Sequence, residues 1–345
     1  MRARDLSAAI AALIPTSQPF FVKGPPGVGK SSLAFQAASK VYDGDSVASA
    51  VGGFPQVPWF CCVRAVDRDP IDFRGVLYVT DGKAQWTIPD LVDKLTASPD
   101  GGLLLLEELP QAVPAVQCVL REVLLEHAIG GVPLPKNWSV GATGNRQEDR
   151  AGAGRLLSHV ASSVVMLNLE VSLDDWQAWA VKRGIEPEIR SFLRFKPEML
   201  HQFDPARELN ADPRGWERLS HIYRAIPDAL QNEVFAGTVG QAPAGAFLDY
   251  VQLYAKLPDP DAILANPNGS SVPTESSVCW ALIGSLVTRC SKAAITVVQA
   301  AAAYFSRMKP EFAVAGIVDL AQVQPQAITL PEVRQWMASH PHLFG

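Results

Sequence analysis

Eight consecutive residues constrain this chain more than any others: Gly24-Pro25-Pro26-Gly27-Val28-Gly29-Lys30-Ser31. The apolar run Phe20 to Val22 just before them reads as a buried strand. Leu33, Ala34, Ala37, Ala38 and Val41 after them recur at helical spacing. Strand, glycine-rich loop and helix is the context in which such a run becomes a phosphate-binding loop. Phosphate oxygens need donors without bulk, and Gly27 and Gly29 let backbone N–H groups curl around them. Pro25 and Pro26 stiffen the start of the loop, and Val28 sits inside it. The helix beginning near Lys30 aims its positive end at the same anion. Lys30 is expected to reach the terminal phosphates, and the Ser31 hydroxyl to ligate Mg²⁺. Ser32, in the same helical turn, joins the set with Gly24.

A second motif lies further along. Gly101-Gly102-Leu103-Leu104-Leu105-Leu106-Glu107-Glu108 is an apolar strand that ends in two acids. A strand buried on both faces reads as a continuous apolar run, and ligands of an open α/β sheet sit at its carboxyl end. Glu107 is expected to hold Mg²⁺ through water, and Glu108 to polarise the attacking water. Asp is the usual residue at the first position, so Glu107 is one methylene longer. Leu109 to Glu122 reads as a helix opened by prolines, and Ile129 to Leu134 as a hairpin. A further strand, Trp138 to Thr143, ends in Gly144-Asn145, and the Asn145 amide can orient the lytic water opposite Glu108.

The ordered set resembles the MoxR group of AAA+ ATPases. The residues that carry the resemblance are the Gly24–Ser31 loop, the Leu103–Glu108 strand, the helix from Pro110, the hairpin near Gly130, and Gly141 to Arg150. The stretch Asp69 to Gly75 and the later Gly82, Trp86 and Pro89 also fit the group. Ala211-Asp212-Pro213-Arg214-Gly215-Trp216 resembles the lid-helix motif whose arginine, here Arg214, touches the γ-phosphate. The match spans residues 19 to about 226.

The resemblance implies an α/β fold, a five-stranded parallel sheet flanked by helices (1–171) with an all-α lid (172–265), and the chain's own pattern adds a C-terminal helical extension (266–345). It implies ATP with Mg²⁺ as ligands, and ATP bound between subunits of a ring, usually a hexamer. It also implies chaperone-like remodelling of a protein client, often beside a von Willebrand factor A domain partner. One departure stands out. The group's trans-acting arginine falls here on Ser163, within Val160-Ala161-Ser162-Ser163-Val164. Arg155, Arg150 or Arg146 could supply that charge, with Arg155 the first choice.

Composition closes off several classes. The chain of 345 residues is 48% hydrophobic and 19% charged, a globular profile long enough for two or three compact units. No apolar run approaches the ~20 residues of a membrane span. The opening residues lack a secretory pattern, which fits a cytoplasmic place of action. Five cysteines without ligand spacing are expected to be buried reduced thiols. A net charge of −5 argues against nucleic acid as partner. The breaker cluster Asn266 to Ser271 marks a boundary, and the Ala- and Val-rich stretch Glu275 to Met308 reads as paired helices. Trp336 and Leu343-Phe344 are expected to pack on the chain's own body. Two functions fit the set: an ATP-hydrolysing ring motor, or a nucleotide-binding regulatory subunit that turns ATP over poorly.

Overall fold

The computed structural model describes residues 1–43, 54–98, 100–146, 149, 154–204, 206–254, 257–291 and 293–341. The chain divides into two compact units, Met1–Ser172 and Leu173–Gly345. The first unit contains α1 (Ala3–Leu13), β1 (Phe20–Lys23), α2 (Lys30–Tyr42), β2 (Phe60–Arg64), α3 (Ile71–Arg74), β3 (Leu77–Thr80) and β4 (Lys83–Trp86). It continues with α4 (Asp90–Thr96), β5 (Gly102–Glu107), α5 (Pro114–Leu125), β6 (Ala128–Ile129), β7 (Val132–Pro133), β8 (Trp138–Gly144), α6 (Ser158–Ala161) and β9 (Val165–Asn168).

Five strands form one parallel sheet in the order β2-β5-β8-β1-β9, so the expected five-stranded core is present. Leu103 to Leu106 are fully buried because β5 has strands on both edges and helices on both faces. One face packs on α1 and α2 through Leu6, Ile10, Ala34, Phe35 and Ala38. The other packs on α4 and α5 through Val92, Leu95, Val116, Leu120 and Val123. The chain leaves β1 towards β2 at one edge, and leaves β8 in the opposite direction, over β1, to β9 at the other edge. The crevice beyond the carboxyl ends of β1 and β8 is therefore the switch point of the sheet, where ligands of open α/β sheets bind.

Two local readings change. The segment after Glu108 is a single 3₁₀ turn, Leu109–Gln111, and the α-helix starts only at Pro114. A residue before proline is pushed out of the helical region, and Val113 is accordingly extended (φ −59°, ψ 149°). The cysteine expectation holds for Cys279 and Cys290, which are buried, whereas Cys61 and Cys62 are half-buried and Cys118 is exposed. Cys118 lies on the outer side of α5, whose Val116, Gln117, Val119 and Leu120 face inward. The segment around Gly82 is an antiparallel pair, β3 with β4, that exposes Leu77, Tyr78, Val79 and Trp86.

The second unit is helical among its described residues: α7 (Leu173–Lys182), α8 (Pro187–Phe195), α9 (Pro213–Ile222), α10 (Asp228–Val239) and α11 (Gln241–Tyr254), then α12 (Pro260–Ala265), α13 (Ser276–Cys290), α14 (Ile295–Phe305), α15 (Pro310–Val323) and α16 (Pro331–Ser339). One apolar cluster gathers Phe192, Trp216, Phe235 and Phe247; another gathers Leu282, Tyr304, Phe305, Phe312 and Trp336. Trp336 thus packs on its own chain, while Leu343 and Phe344 lie outside the described residues. Gly284 lets α13 approach α8, because a Cβ there would meet Ser191 at 3.1 Å. No helix among the described residues is long and apolar enough to cross a membrane.

Candidate active site

The loop between β1 and α2 takes its shape from two glycines in the left-handed region, Gly27 (φ 71°) and Gly29 (φ 85°). A Cβ on Gly29 would meet nothing within 4 Å, so the backbone there faces open space. The first N–H that closes a turn of α2 is that of Leu33, bonded to the Gly29 carbonyl at 2.9 Å. The N–H groups of Ser31 and Ser32 precede it in the first turn, where a helix start offers its donors outward. Gly24 is held from both sides. Its N–H donates to the Gly144 carbonyl, and a Cβ on it would meet the Leu169 carbonyl oxygen at 3.1 Å.

Lys30 joins the loop to the sheet. Its Nζ donates to the carbonyls of Gly24 (3.0 Å) and Pro25 (2.7 Å) and to Asn145 Oδ1 (2.7 Å). Asn145 follows the last residue of β8, the strand beside β1, and is brought to the loop by parallel pairing alone. Close packing sets that strand end. A Cβ on Gly144 would fall 2.4 Å from Pro110 Cδ and 2.8 Å from the Phe21 ring.

Glu107 ends β5 and Glu108 follows it, one strand beyond β8, so neighbouring tips at ~4.8 Å spacing put Glu107 roughly 10 Å from the end of β1. Both acids are half-buried. Glu108 is left-handed at φ 56°, a conformation that costs a non-glycine residue about 1–2 kcal/mol and clusters at functional positions. Cys62 of β2 lies beside the Glu107 carboxylate. Burial first, and then the adjacent carboxylate, push its thiol well above the ordinary range. The pairing Arg64 with Glu107 places Cys62 on the face of Glu107. Nothing in the sequence marks Cys62, because its neighbour is 45 residues away.

The arginines separate. Arg155 is exposed, and its carbonyl accepts weakly from Gln117. Arg150 lies outside the described residues. Arg146 turns inward: its guanidinium donates to the Leu169 carbonyl at 2.7 Å, and its Nε is buried with no partner among the described residues. Ser163, at the position of the missing arginine, donates its hydroxyl to the His159 carbonyl and closes the end of α6. Arg214 is exposed in the first turn of α9, whose start is capped by Asp212 accepting from Gly215 N at 2.6 Å. It belongs to the second unit.

The residues present fit a nucleotide triphosphate. An open glycine cradle, the donors of a helix start and a lysine already held by three oxygen acceptors suit an anion. No cluster of three His, Cys, Asp or Glu exists among the described residues, and Mg²⁺ does not need one. Mg²⁺ is ordinarily held by one or two side chains, water and the phosphates themselves. Ser31 and Glu107 are the residues that would hold it.

No protein-family model matches this chain, and no curated protein does. Among solved structures it is similar to a point mutant of RuvB from Thermotoga maritima, at 17% identity, TM-score 0.39 and coverage of 82% of this chain and 80% of that one. It is also similar to a DNA polymerase III gamma subunit-related protein from Thermotoga maritima, at 10% identity, TM-score 0.34 and coverage of 97% and 98%. NtrX from Brucella abortus in complex with ATP is similar at 13% identity, TM-score 0.35 and coverage of 99% and 67%.

Proposed function

We propose that the chain is an ATP-binding and ATP-hydrolysing motor of AAA+ type, resembling the MoxR group, that assembles into a ring and remodels a protein partner. One observation carries this reading: the Lys30 Nζ to Asn145 Oδ1 contact at 2.7 Å, which sets the loop lysine and a strand-end amide together at the switch point of the sheet.

In this reading the backbone from Gly24 to Ser32 wraps the triphosphate, and Lys30 exchanges its loop carbonyls for phosphate oxygens. Ser31, and Glu107 through water, would hold magnesium, which would supply charge neutralisation of the triphosphate. Glu108 takes a proton from the attacking water and Asn145 orients that water. Arg214 meets the γ-phosphate from the lid, and Arg155 acts on the neighbouring subunit's ATP. Residues 1–171 form the catalytic core. The two apolar clusters of the second unit support a lid at 172–265 and an extension at 266–345.

The test is Mg²⁺-dependent ATP turnover by the purified chain. Lys30→Ala should abolish nucleotide binding, and Glu108→Gln should keep binding and lose turnover. Failure of the wild-type protein to bind ATP or ADP in calorimetry ends the proposal. A second reading, a nucleotide-binding regulatory subunit with little turnover, is favoured by the Ser163 hydroxyl occupying itself on His159. Single-turnover measurements separate the two, since ATP retained intact on an assembled ring supports the second.

A further inference from the structure

Arg146 stands on β8's side of the phosphate loop and reaches across the end of β1 to β9's side. The strand order there is β8-β1-β9, and the guanidinium, which starts two residues beyond β8, bonds the carbonyl of Leu169, the residue just after β9. That carbonyl oxygen is the atom that lies 3.1 Å from where a Cβ on Gly24 would stand, so Arg146 is one contact away from the first glycine of the loop. Its neighbour Asn145 already touches Lys30. Its backbone is pinned by a tight turn in which Arg146 N donates to Asp149 Oδ2 and Asp149 N donates to the Arg146 carbonyl, each at 3.3 Å. Its Nε is buried, with no acceptor among the described residues. A guanidinium carries five donors in a fixed fork and cannot lose its charge, and the Leu169 carbonyl takes only one of them, so the group keeps donors for an anion beside Gly24.

We propose that Arg146 acts in cis, as a ligand for the triphosphate held by the loop of its own subunit, with the Leu169 carbonyl as its anchor. The proposal rests on the nucleotide reading above. It removes Arg146 from the candidates for action across a subunit interface, because a side chain anchored beside its own Gly24 is committed to its own site.

The probe is the slowly hydrolysed analogue ATPγS with Mg²⁺, titrated into the full chain by calorimetry. Arg146→Ala should weaken binding at least tenfold. Arg146→Lys, which keeps the charge but has no second arm, should fall between the two. Thermal unfolding identifies a variant that no longer folds, and Arg146→Lys then decides alone. A mixture of Arg146→Ala and Lys30→Ala chains should recover no ATPase activity, because both defects lie in the same subunit's site. Wild-type affinity in a folded Arg146→Ala protein, or recovered turnover in the mixture, overturns the cis assignment while leaving the nucleotide reading intact. Absence of ATPγS binding by the wild-type chain overturns the nucleotide reading, and this inference with it.

Discussion

The ammonium of Lys30 and the amide oxygen of Asn145 lie 2.7 Å apart although 115 residues separate them in the chain. Parallel pairing of β1 with β8 produces this contact, and it ties the loop lysine to a group that can hold water. Asn145→Ala should therefore leave nucleotide affinity within a few-fold of wild type and lower kcat by about 10²–10³, the usual effect of deleting one preorganised polar group. Steady-state kinetics with calorimetry checks it. Equal losses in affinity and turnover would place Asn145 in the loop's architecture instead.

Glu108 combines a carboxylate with a left-handed backbone. Glu108→Gln should bind ATP and lose about 10²–10⁴ in turnover, the contribution of a general base. Glu108→Gly and Glu108→Ala should both be inactive, with the glycine variant more stable by about 1 kcal/mol, since only glycine adopts this conformation without steric cost. Thermal unfolding of the pair checks the backbone part separately from the chemistry.

Gly144→Ala should destabilise the protein by about 1–3 kcal/mol, the cost of overpacking a dense core. Its Cβ would fall 2.4 Å from Pro110, two residues after Glu108. Turnover should fall further than affinity, because the displaced proline moves the acid and not the loop. Unfolding in urea and ATPase kinetics on the same preparation check both.

Burial pushes the Cys290 thiol up to about 11 from an ordinary value near 9. The folded state therefore keeps a proton that the unfolded chain releases above about pH 9. This thiol's contribution is fully present below that pH and is lost as pH rises through about 11. At about 1.4 kcal/mol per unit, the loss amounts to roughly 2–3 kcal/mol. Urea unfolding of wild type and Cys290→Ala at pH 8 and pH 10.5 checks it: the variant should lack this part of the pH dependence.

The sequence by itself determined the elements whose chemistry is local. Gly27 and Gly29 announce a backbone that must turn with positive φ, and the apolar run Leu103 to Leu106 announces a strand buried on both faces. Both follow from residue types at short spacing, and so did the order of strand, loop and helix around Lys30. Tertiary structure alone decided the rest. Which acid lies beside Cys62, which way Arg146 turns and why Gly144 must be a glycine depend on strands pairing across 36 to 145 residues of chain, a relation that no short window of sequence contains. The late helix start at Pro114 had a local cause in Val113-Pro114, whereas the left-handed backbone of Glu108 at the tip of β5 is a feature of the folded structure.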